Sequence, residues 1–72
     1  MIQITRIRAH EVHDKKLYKT VINNIIDLCD SFTCIPSETM VICQSSAYST
    51  TDIGDILRSR GVDMEHVILK DM

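Results

Sequence analysis

Tryptophan is absent from this 72-residue chain, proline occurs once, glycine twice, and Tyr18, Phe32 and Tyr48 are its aromatic residues. A core built without large rings has to be aliphatic, and isoleucine is the abundant choice. Gly54 and Gly61 cannot make a Gly-rich phosphate loop. No apolar run approaches the ~18 to 20 residues of a membrane span. No basic, apolar leader precedes the first strand; the chain opens at Met1 and reads as a complete small protein. Neither sign of charge dominates. The formal net charge is −2, which calls for neither nucleic acid nor an anionic membrane as partner.

What is present bounds the answer further. A chain of 72 residues, 44% apolar, makes a single domain over residues 1–72. A domain this small buries only about 60% of its unfolded surface, so it needs a disulfide, a metal, a partner or very good packing. The cysteines are Cys29, Cys34 and Cys43. An odd number without a leader argues against a disulfide framework and for a reducing cytoplasm.

Residues 1–9, MIQITRIRA, read as a strand. Ile2 and Ile4 share one face while Ile7 and Ala9 fall on the other, which predicts a bulge or an early end near Thr5. Arg6, Arg8 and His10 line one parity. They form either a solvated strand face or a contact for an anion or RNA, and no stacking aromatic accompanies them. Residues 14–32 carry apolar side chains over about half of a helix circumference, from Leu17 to Phe32, with Asp14 as candidate N-cap. That stripe is wider than one small sheet requires. Pro36 forces extended geometry on Ile35, so this helix ends before Ile35. Met40 to Cys43 are consecutive and apolar, as in an interior strand buried on both faces. Ser49 with Asp52 fits a capping box opening a short helix over about residues 51–60, and Gly61 suits its left-handed C-terminal position, with Val62 supplying the apolar contact. Asp52 and Asp55 are first-turn helix charges. Gly54 weakens that helix by up to ~1 kcal/mol relative to alanine. Residues 62–70 close the chain as a strand centred on Val67, Ile68 and Leu69.

The order β-α-β-α-β predicts an α/β domain: a small, mostly parallel three-stranded sheet packed with two helices. Depending on strand order, the helices share one sheet face or cover both. The wide helix stripe predicts a homodimer, covering either the flank with Tyr18, Ile22, Ile26 and Cys29 or a bare sheet face.

The chemistry-bearing residues are few. His10 and His13 have His-x-x-His spacing and would need two thiolates to complete a zinc site, but Cys29 and Cys43 belong to core faces. Cys34 lies in a loop after a helix, away from any helix N-terminus that would activate it. No cofactor is expected.

The segment PSETMVICQSSAYSTTDIGDILRSRGVDMEHVIL resembles the second half of the small TusA/SirA-like sulfurtransferases. The shared features are Pro36-Ser37-Glu38-Thr39 before a strand and Thr51-Asp52-Ile53 opening a helix that ends at glycine. The resemblance covers residues 36–69 and implies a two-helix α/β sandwich. The family's Cys-Pro-x-Pro site has no counterpart in this chain, where RAHEVHD stands in its place, so the sulfur chemistry is not carried over. The expected function is that of a small non-enzymatic interaction or regulatory protein, an inhibitor or adaptor of the kind phages and mobile elements encode, acting on another protein through Tyr18, Ile22, Ile26, Arg6 and Arg8. The alternatives are a sulfur carrier or thiol protein using Cys34, and an RNA-binding module using Arg6, Arg8 and His10.

Overall fold

In the computed structural model, which describes residues 3–9 and 15–72, six principal elements follow one another. They are β1 (Gln3–Ala9), α1 (Lys15–Ile25), β2 (Ser31–Ile35), β3 (Met40–Ser45), α2 (Thr50–Ser59) and β4 (Val67–Asp71). Short 3-10 turns at Pro36–Glu38 and Met64–His66 precede β3 and β4. The strands form one sheet in the order β2-β3-β1-β4, and every neighbouring pair is antiparallel.

The expected mostly parallel, three-stranded β-α-β-α-β sheet is therefore wrong. The two helical crossovers do join strands that run the same way, since β1 and β2 both oppose β3, and β3 and β4 both oppose β1. Each such pair is split by a third strand, which turns every contact antiparallel. The element order and strand order are those of the ferredoxin-like, split βαβ arrangement.

The missing strand is β2. Helix α1 stops at Ile25, whose carbonyl accepts from Leu28 N (2.9 Å) and Cys29 N (3.2 Å) in a closing turn. The apolar residues beyond Ile25 that extend the helical period to residue 32 belong to this turn and to β2. Pro36 starts the 3-10 turn of a β2–β3 hairpin, closed by Thr39 in the left-handed region (φ 47°), whose N–H donates to the Pro36 carbonyl. Asp14, like His10 and His13, lies outside the described residues.

A second correction concerns the thiols. Cys29 and Cys43 form a disulfide, with Cα atoms 5.8 Å apart. Cys29, in the turn after α1, faces the fully buried Cys43 on β3. The odd cysteine count could not reveal this, because one thiol, Cys34, is simply left over. Such bonds persist mainly in oxidising compartments, so the cysteines lend no support to a cytoplasmic location. No helix of the described residues is long and apolar enough to cross a membrane.

The core is aliphatic, as the composition requires. Ile7, Val41 and Cys43 of the sheet meet Val21 and Ile25 of α1 and Ile53 and Leu57 of α2, all nearly or fully buried. Both helices thus pack on one sheet face. No bulge interrupts β1: its register with β3 runs unbroken from Gln3 opposite Ser45 to Arg8 opposite Met40. Thr5, where the bulge or early end was predicted, instead takes a core position in an unbroken strand, and its buried hydroxyl is satisfied by Thr50 Oγ1 at 2.7 Å. Buried Ser45 joins the turn after α1 to β3, donating to the Leu28 carbonyl at 2.9 Å and accepting from Tyr48 N.

Helix α2 is bounded by local chemistry. Ser49 Oγ accepts from Asp52 N, and the Asp52 carboxylate accepts from Ser49 N, completing the capping box. At the other end Val62 N reaches the Leu57 carbonyl and Gly61 N the Arg58 carbonyl, a Schellman closure with Gly61 at φ 85° and Val62 buried. Gly54 sits where α2 approaches β4: a Cβ there would lie 2.8 Å from Leu69 Cδ1, and that side-chain end would have to shift to admit it. Residues 62–66 form the turn into β4, which begins only at Val67.

Candidate interaction surface

Alternation along β1 sends Thr5 and Ile7 into the core and Ile4, Arg6 and Arg8 to the opposite face, which neither α1 nor α2 covers. Pairing then sets their neighbours. Arg6 stands between Ile42 of β3 and Lys70 of β4, and Arg8 stands between Met40 and Ile68. Ile35 of β2 extends the second row beyond Met40. The result is an aliphatic mat with a basic column through its middle. An open depression of about 570 Å³ lies on it, lined by the three cations, by these aliphatic side chains, and by Glu38 and Met72. Strand β3 is therefore not buried equally on its two faces: Val41 and Cys43 are sealed under the helices, while Met40 and Ile42 are only half-buried. Ile68 is 45% exposed.

Electrostatically the face is unbalanced. Arg6 and Lys70 are direct cross-strand partners, and like charges so placed destabilise a ladder. The buried Nε of Arg8 has no hydrogen-bond partner among the described residues. All three aromatic rings lie on the helix side. Tyr18 is in the core, Tyr48 packs against it, and Phe32 pairs with the core-facing Cys43.

The residues singled out from the sequence fall into separate places. Arg6 and Arg8 share the open face, as their parity predicts. His10 and His13 lie outside the described residues. Tyr18, Ile22 and Ile26 do not form one free surface: Tyr18 is buried and donates to the Met40 carbonyl at 2.7 Å, Ile22 packs against the core, and Ile26 is 52% exposed. Cys34 sits on edge strand β2, not in a loop, and is exposed. It borders a groove of about 390 Å³ with Lys15, Tyr18, Lys19, Ile22 and Pro36. Burial first, and the neighbouring Cys34 side chain second, push the Tyr18 hydroxyl above its ordinary pKa, which keeps it a donor.

Met40, Ile42, Ile68 and Lys70 were missed as site residues. The uninterrupted run Met40 to Cys43 hides which members face outward, and only the pairing with β1 tells them apart. Asp63, Glu65 and His66 bring ligand-type atoms within 4.8 Å of one another. All three are exposed, and Asp63 is engaged in capping its turn by accepting from Glu65 N. No family model, curated protein or solved structure matches the chain; the resemblance to the sulfurtransferases rests on residues 36–69 alone.

Proposed function

We propose that this chain is a small non-enzymatic interaction module, an inhibitor or adaptor, that docks another protein on the open face of its sheet. One observation carries this: both helices lie on the same side, so Met40, Ile42 and Ile68 form an aliphatic patch that no part of the described chain covers. Leaving such a patch in water forgoes about 25 cal/mol per Å² of apolar area that a partner would bury. A homodimer was the expectation from the sequence, but apposing two copies of this face would set Arg6, Arg8 and Lys70 against their own duplicates. A different protein avoids that repulsion. RNA fits less well, since no ring on this face can stack a base.

The test is affinity capture with the wild-type chain and with an Ile42→Asp/Ile68→Asp double variant. Both positions are outside the helix-covered core, so the variant should keep its circular dichroism spectrum and lose the captured partner. Equal capture by a folded variant would sink the proposal.

A further inference from the structure

We infer that the partner of the open face is an acidic, amphipathic peptide segment: carboxylates spaced for Arg6, Arg8 and Lys70, flanked by aliphatic side chains for Met40, Ile42 and Ile68. This rests on the interaction reading above and adds the chemistry of the occupant. The chain as a whole carries a net charge of −2, yet three cations converge on this one depression with a single acid, Glu38, beside them. Arg6 and Lys70 repel each other in direct register. The Nε of Arg8, buried beneath this surface, has no hydrogen-bond partner among the described residues. An anion placed between Arg6 and Lys70 removes this repulsion. Carboxylate is the matching chemistry, because guanidinium presents a planar fork that binds it bidentately. Arg6 and Arg8 are two residues apart on one strand face, so their Cα atoms are ~6.5 to 7 Å apart. That spacing is met by acids at i and i+2 of an extended segment or at i and i+4 of a helix. The aliphatic rows on either side of the arginines select against a purely polar anion. A second copy fails on charge, as above. A nucleic-acid backbone would meet the cations but leave the aliphatic mat in contact with phosphates and sugars.

The experiment is a selection of random 12-residue peptides displayed on phage against the full chain at ~150 mM salt, followed by titration of a synthesised winner. Enriched peptides should carry at least two Asp or Glu residues flanking aliphatic ones. Their affinity should fall at least tenfold in Arg6→Gln/Arg8→Gln, and at least tenfold when the peptide's carboxylates are changed to amides, a comparison that needs no protein variant. Enrichment of neutral or basic peptides that still require Ile42 and Ile68 would overturn the acidic preference and leave the docking reading standing. No enrichment at all, or binding of a fluorescent oligouridine lost in Arg6→Gln/Arg8→Gln, would overturn both.

Discussion

Reducing the Cys29–Cys43 bond should lower the melting temperature of this protein by roughly 12 to 24 °C, taking about 4 to 8 °C per kcal/mol for a domain of this size. The bond spans 14 residues. It encloses β2, the hairpin turn and most of β3. The loop-closure estimate for about 14 residues is ~3 kcal/mol at 25 °C. A chain of 72 residues has a total stability of roughly 4 to 11 kcal/mol, so this one bond accounts for a quarter or more of it. The measurement is a pair of thermal melts by circular dichroism, with and without a phosphine reductant, in a Cys34→Ser background that prevents cross-linking between chains. Alkylation followed by mass spectrometry supplies the independent count. Denatured, unreduced wild-type protein should take up label at Cys34 alone, and at Cys29, Cys34 and Cys43 after reduction. Label on all the cysteines before reduction would refute the bond, and melts that agree within about 3 °C would refute the loop-closure reasoning.

Other expectations follow from single sites. Gly61→Ala should destabilise by about 1 to 2 kcal/mol in urea unfolding, because φ 85° suits glycine and not an L side chain; an unchanged midpoint would mean the C-terminal closure of α2 is not needed. Arg60 grips Asp27 through paired bonds of 2.9 and 3.0 Å and holds that carboxyl below its usual range. A depressed carboxylate contributes stability above its unfolded pKa of about 4 and loses it as pH falls through the lower folded value. The stability gap between wild type and Arg60→Gln should therefore narrow in acid and in high salt, the pair being exposed; a gap that widens in acid contradicts the assignment. Cys34→Ser should change stability by less than about 0.5 kcal/mol and leave partner capture intact, since Cys34 is exposed on β2 and off the open face. Loss of function without loss of melting temperature would move the functional centre to the groove beside Tyr18.

Much of α2 was legible in the sequence alone. Its capping box at Ser49 and Asp52 and its Gly61 terminus are interactions between residues three to five apart, and such chemistry needs no tertiary context. The same holds for the shared parity of Arg6 and Arg8, set by strand alternation, and for the aliphatic character of the core, set by composition. Strand β2 was not legible. Phe32, following an apolar turn, continues the helical period by chance, and only pairing with β3 makes SFTCI a strand. That pairing also decides the rest. With β2 present, the two crossovers split, the sheet becomes antiparallel, and both helices fall on one face. Cys43 is brought to Cys29, and Ile42 and Ile68 are brought to either side of the arginine column. A local pattern specifies which residues can share a face, because covalent geometry fixes the direction of successive side chains. Which face is covered, and what stands opposite each residue, depends on contacts between segments far apart in the chain, and those are decided only when the strands pair.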